Sequence, residues 1–279
     1  MMNEFEMTIQ NLLDHLPVGL LSYDEINYFS FDRYFQPILQ YAYAKHLQNT
    51  ILSLYIVRGM LMAKMGTDLF ERKKHKASMG VHFAHCLNIT QLLINLHPNL
   101  YPDQEDYVLA AALSHVIPEV FDLKGKNSEV FTSFGFDQEV YKLIQINYRN
   151  LSWNDEQKQS YYDSILENKL ALLIKIVDRA NILEQLYEAP LNKEQEYIRD
   201  TKQYFLPMCV KGKELYPELY PVFTVIHEKM RCLIDITDII TNKHIDTMNE
   251  LNNQILELIE DNARIRKMIQ EIKRTKKAS

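Results

Sequence analysis

A chain of 279 residues has room for one large domain plus an appendage, and its 47% hydrophobic and 24% charged residues match the balance of a soluble globular protein. Seven glycines and nine prolines supply too little turn punctuation for a fold rich in hairpins. The net charge of −6 is dispersed and does not call for nucleic acid as a partner; Cys86, Cys209 and Cys232 are far apart, lack CxxC spacing, and read as reduced, buried thiols of a cytoplasmic protein.

The first residues, Met1-Met-Asn-Glu-Phe-Glu, carry no basic and then apolar leader pattern, and no stretch approaches ~18 uninterrupted apolar residues, so no membrane span is expected. Phe5–Leu13 is amphipathic, with Phe5, Ile9, Leu12 and Leu13 on one face, and Pro17 and Gly19 end it. Phe29–Lys45 sets aromatic residues at helical spacing, a core pattern. Gln48–Met65 is a strongly apolar helix. The basic run Glu71-Arg-Lys-Lys-His-Lys-Ala-Ser78 reads as a solvated loop that could also face an anionic ligand. Val81–Leu96 is a helix with His82 and His85 three apart, hence near one face.

Gln104–Val120 predicts one helix in which Ala110, Ala111 and Ala112 permit close approach, His115 points into the interior, and Glu119 follows on the same face. Residues 121–137 read as a loop, Gln138–Asn147 as a short helix, and Asn150–Gln159 as a surface connection. Tyr161–Leu186 reads as a long helix holding Asp178 within an apolar run. A carboxylate so placed must be paired, hydrogen-bonded or metal-bound, and Arg179 is the nearest structural partner for it. Glu194–Met208 is a further helix. Pro217 and Pro221 mark a break before the last helix, His227–Lys277.

From Met248 that last helix carries a heptad. Met248, Ile255, Asn262 and Ile269 fall at a, and Leu251, Leu258, Ile265 and Ile272 at d. A single asparagine at a among apolar a and d positions is the pattern of a parallel two-stranded coiled coil. Asp261 and Arg266 would face each other between the chains. The expectation is a homodimer through residues 245–273; the alternative is a helix folded back on its own domain. Seven Lys or Arg against Glu271 make Ala263–Ser279 a basic tail.

Three segments resemble the hydrolase domain of the RelA/SpoT family, a branch of the HD phosphohydrolases. They are Lys76-Ala-Ser-Met-Gly-Val-His-Phe-Ala-His-Cys-Leu87, Ala111-Ala-Leu-Ser-His-Val-Ile-Pro-Glu-Val120 and Lys175-Ile-Val-Asp-Arg-Ala-Asn-Ile-Leu183. The resemblance spans roughly residues 50–210. It implies an HD-domain helical bundle over 50–225, within a chain that the three-and-four spacing of its apolar residues marks as all-α and whose remaining parts read as an N-terminal helical segment at 1–49 and a C-terminal coiled-coil helix at 226–279. It also implies a manganese ion, or another divalent cation, held by His85, His115 and Asp178, and a guanosine polyphosphate-type nucleotide contacted by Lys76, Ser78 and Asn181.

Members of the family remove the 3′-pyrophosphate of guanosine tetra- and pentaphosphate. Imidazole and carboxylate ligands hold the cation, which lowers the pKa of an attacking water. This chain departs from the pattern in four places. Val116 stands where the HD aspartate falls, Val120 replaces the second acid of the ED pair, Asn181 sits one place early with Ile182 in the asparagine position, and Met79 replaces the glycine after Ser78. With Glu119 as the remaining acid that could act on water or join the metal, the resemblance implies a metal-dependent pyrophosphohydrolase impaired by loss of the aspartate. The alternative is a catalytically inactive pseudo-hydrolase acting as a regulatory or oligomeric scaffold.

Overall fold

A computed structural model describes residues 31–67, 75–96, 100–120, 131–148, 153–186 and 191–278; within these, the side chains of 31–34, 60–67, 75–83, 119–120, 244–246, 261–263 and 265–278 lie outside the description. The protein is all-α, and no strand occurs among the described residues. The helices are α1 (Phe31–Lys45), α2 (Gln48–Thr67), α3 (His75–Leu96), α4 (Pro102–Ser114), α5 (Ile117–Val120), α6 (Gln138–Asn147), α7 (Asp155–Ile165), α8 (Lys169–Glu184), α9 (Leu191–Asp200), α10 (Leu206–Leu215) and α11 (Tyr220–Ala278). A π-helical turn, Thr201–Phe205, joins α9 to α10, and a 3-10 turn, Pro217–Leu219, precedes α11. The amphipathic segment predicted at Phe5–Leu13 lies outside the described residues.

The chain divides into two compact units, Met1–Arg231 and Cys232–Ser279. In the first, α1 packs on α2 and α3, and α8 packs against α3, α4, α6, α7 and α10. Its residues Ala171 to Asn181 are all buried, which makes α8 the central helix rather than an amphipathic surface one. The alanines of α4 do what their size allows: Val108 to Ser114 are all buried, and the helix packs on α2, α3, α6 and α8.

Helix ends are fixed by short polar side chains. Asn168 caps α8 by accepting from the Leu170 and Ala171 N–H groups at 3.0 Å each. Asn154 and Gln157 form a reciprocal capping box at α7. The first turn of α2 is capped from another helix. Asp106 of α4 accepts from the backbone N–H groups of Asn49 (2.9 Å) and Thr50 (2.8 Å) and from the Thr50 hydroxyl (2.7 Å). Its negative charge lies where the helix dipole favours it.

Several predicted boundaries are corrected. Asn154 starts a helix inside the stretch read as a surface connection, because its capping box outweighs the polar composition. The long helix predicted over 161–186 is two, broken at Leu166–Asn168, where Asn168 turns from termination of α7 to capping of α8. The helix predicted over 194–208 is interrupted by the π turn. The one predicted over 104–120 ends at Ser114, and His115 and Val116 form a turn before α5. Cys86 and Cys209 are buried as expected, but Cys232 is exposed.

The second unit is the continuation of α11. Met248, Leu251, Ile255 and Leu258, the a and d positions among its described side chains, are each about half exposed, as are Ile236, Ile239 and Ile240. Among the described residues no helix is long and apolar enough to cross a membrane.

Candidate metal centre

Helices α3, α4 and α8 meet at three side chains. α3 contributes His85, the C-terminal end of α4 contributes His115, and α8 contributes Asp178. One ligand atom from each lies within 4.8 Å of the others. The two imidazoles stand edge to face, with centroids 5.4 Å apart and planes inclined by 67°. His85 Nε2 lies 3.0 Å from Asp178 Oδ1.

Each ring is held from behind. His115 Nδ1 lies 2.7 Å from the carbonyl oxygen of Ala112, which can only accept, so Nδ1 donates and Nε2 carries the lone pair. The turn at His115–Val116 allows this bond, because it leaves the last carbonyls of α4 without the helical partners they would otherwise have. His85 Nδ1 donates to Asn181 Oδ1 at 2.8 Å, and its Nε2 faces the Asp178 carboxylate. Two imidazoles whose Nδ1–H groups are engaged by oxygen acceptors have the geometry in which histidine ligates a metal through Nε2.

Asp178 is buried, and Oδ1 has no aligned hydrogen bond even though His85 Nε2 is in contact with it. Oδ2 lies 3.7 Å from Lys175 Nζ, which also donates to the Asn147 carbonyl at 3.0 Å and lies 5.7 Å from the centre of the Tyr161 ring. Burial alone would raise the Asp178 carboxyl. The His85 contact, Lys175 and His115 outweigh it and hold the group below the ordinary carboxylate range. A buried carboxylate oxygen and one nitrogen from each of two imidazoles form a donor set that could hold a divalent cation.

Arg179 is not the partner of Asp178. Its guanidinium turns to the other side of α8, 4.1 Å from the centre of the Phe205 ring and 4.9 Å from that of Tyr197. Consecutive residues on a helix diverge by about 100°, so one of them facing α3 sends the next elsewhere. Lys175 takes the role instead. It was legible as a second buried charge three residues before Asp178, the spacing that stacks side chains on one helix face.

The other expected site residues fall as follows. Asn181 is buried and gives its oxygen to His85. Val116 is buried, at 1% exposure, and offers no oxygen. Glu119 lies on α5, beyond the turn that ends α4, so the same-face relation to His115 that one continuous helix would give does not hold. Lys76 and Ser78 lie in the first turns of α3; their side chains, with those of Glu119 and His82, are outside the described ones. No family model matches the chain, and no curated protein does.

Proposed function

We propose that the chain is an HD-type protein akin to the RelA/SpoT hydrolases, in which His85, His115 and Asp178 hold a divalent cation, manganese in that family, beside an anionic nucleotide of the guanosine polyphosphate class. The observation that carries this reading is the convergence of three ligand atoms from three helices within 4.8 Å, with both Nδ1 atoms already committed to oxygen acceptors. A cation bound there supplies Lewis acidity toward a phosphate oxygen and lowers the pKa of a bound water. The chain's own residues do the rest. Lys175 neutralises and aims Asp178, and the basic segment around Lys76 and Ser78 is the phosphate-binding element the resemblance implies.

Hydrolysis is impaired in this reading. The position that supplies the fourth ligand in the family is a buried valine, Val116. The same observation favours a second reading, a pseudo-hydrolase that keeps the pocket and acts as a regulatory scaffold. The exposed heptad positions of α11 support self-association through residues 245–273 in either case.

Metal analysis and calorimetry test the site. Purified protein should take up about one manganese ion per chain, and His115→Ala should abolish uptake. A chain that binds no divalent cation overturns the proposal. Pyrophosphate release from guanosine tetraphosphate separates the two readings: slow release that rises in Val116→Asp favours the impaired hydrolase, and none in either protein favours the scaffold. Removing residues 245–279 should halve the mass seen by light scattering, and an unchanged mass rejects the dimer.

A further inference from the structure

A solvent-open cavity of about 520 Å³ lies where α6 ends and α7 gives way to α8. None of His85, His115 and Asp178 lines it. Its described walls include Gln145 in the last turn of α6 and Tyr148 just after it. Trp153 and Tyr161 continue the wall, and Ser164 and Glu167 close it at the end of α7. The rings of Trp153 and Tyr161 have centroids 5.1 Å apart and planes inclined by 54°, an angled corner rather than a flat stack. The Tyr161 hydroxyl donates to the Asn147 carbonyl oxygen at 2.6 Å and fixes that wall. Tyr148, at 42% exposure, presents its ring to solvent at the rim.

The charge around this cavity has one sign. Both α6 and α7 end at it, and a helix C-terminus carries partial negative charge. Glu167 adds a carboxylate, and no lysine or arginine lines the cavity among the described residues. Lys169, which follows the wall at Asn168, is engaged by Glu218 at 3.2 Å. Acceptors are also in surplus: Asn147, between Ile146 and Tyr148, is buried, and its Oδ1 has no donor. The same helix end already holds one ammonium. Lys175 Nζ donates to the Asn147 carbonyl at 3.0 Å, and Asp178 answers its charge. Aromatic faces attract cations as well. We propose that this cavity binds a small alkylammonium ion, whose N–H groups meet Glu167 and whose carbon chain lies against Trp153 and Tyr148. A neutral ligand would use the rings and leave the carboxylate and the helix ends unanswered; an anion would be repelled by both. The site is separate from the metal reading above and does not rest on it.

Trp153 is the sole tryptophan, so the intrinsic fluorescence of the full-length protein reports on the cavity. Titration with n-butylammonium at fixed ionic strength should change the emission saturably. Neither n-pentanol, its neutral counterpart of the same shape, nor butyrate should do so over the same concentrations. Glu167→Gln and Tyr148→Ala, both at exposed positions, should each weaken n-butylammonium binding by ~2–5-fold, the scale of an exposed ion pair or cation–π contact. Glu156→Gln, which removes an exposed carboxylate from the first turn of α7, should leave binding unchanged. Circular dichroism confirms that each variant is folded. An absent response to n-butylammonium, an equal response to n-pentanol, or an affinity unmoved by Glu167→Gln overturns the proposal.

Discussion

Asp178 and Lys175 share one face of α8, three residues apart, and the lysine ammonium lies 3.7 Å from Oδ2 while Oδ1 meets His85. Both are nearly enclosed, so each makes the other's burial tolerable. Removing one partner of a buried pair leaves the other charge uncompensated and costs on the order of 3–5 kcal/mol. Asp178→Ala should therefore lose about 3 kcal/mol, the low end, because Lys175 keeps its bond to the Asn147 carbonyl. Urea denaturation followed by the fluorescence of Trp153, the sole tryptophan, measures it. A loss within ~0.5 kcal/mol, the scale of an unremarkable surface substitution, would show that the pair does not hold the site together.

The same carboxylate sets a pH dependence. Burial pushes the Asp178 carboxyl up, but the contacts with His85, Lys175 and His115 leave it depressed in the folded state. A depressed folded value means that the stabilisation is complete above the unfolded value of about 3.9 and drains away as pH falls below it toward the folded value. Wild-type protein should lose stability more steeply than Asp178→Asn between about pH 4 and pH 2. Parallel curves would remove Asp178 from the account of acid unfolding.

Asp106 is a second buried carboxylate with a structural assignment. It bridges α4 to the first turn of α2 through two backbone N–H groups, the Thr50 hydroxyl and the Asn49 amide, while Asn49 Oδ1 accepts from the Asp137 N–H ahead of α6. Asp106→Ala leaves the buried Thr50 N–H, with its neighbours, unsatisfied, and should cost about 3 kcal/mol. Asp106→Asn, which keeps one acceptor oxygen, should cost roughly half as much. Thermal unfolding gives the order; equal losses would mean that the charge, and not the acceptor geometry, is what α2 uses.

Thiol chemistry should distinguish the three cysteines. Cys209 is buried and burial pushes its thiol up to about 12, with Lys213 only partly opposing, so it presents almost no thiolate at neutral pH. Cys86 is also buried, and Cys232 is exposed. Alkylation of the folded protein at pH 8 should modify Cys232 first, and Cys86 and Cys209 at the rate of unfolding. Peptide mass spectrometry locates the label; rapid labelling of Cys209 would contradict its packing.

The all-α class was legible because it rests on a local quantity, the three-and-four spacing of apolar residues across a chain poor in glycine and proline. Helix α6 was bounded correctly from sequence alone, and the depth of α2 was visible in its nearly unbroken apolar run. Asp178 was legible as a buried carboxylate in need of a partner, for the same local reason. The identity of that partner was not. The choice between Arg179 and Lys175 turns on which side of α8 faces α3, and that is fixed by how α3, α4, α6 and α10 pack around α8. The turn at His115 was hidden because a run of small and apolar residues suits a continuing helix, and only the tertiary packing shows the ring bonded back to the Ala112 carbonyl. Asn181 shows the division most sharply. Sequence placed it near the site, but its orientation depends on Glu184, and Glu184 on a lysine 45 positions further along the chain, a separation no local pattern can span. Periodicity therefore determined which faces are buried; side-chain direction and charge pairing were decided by the helices that happen to meet.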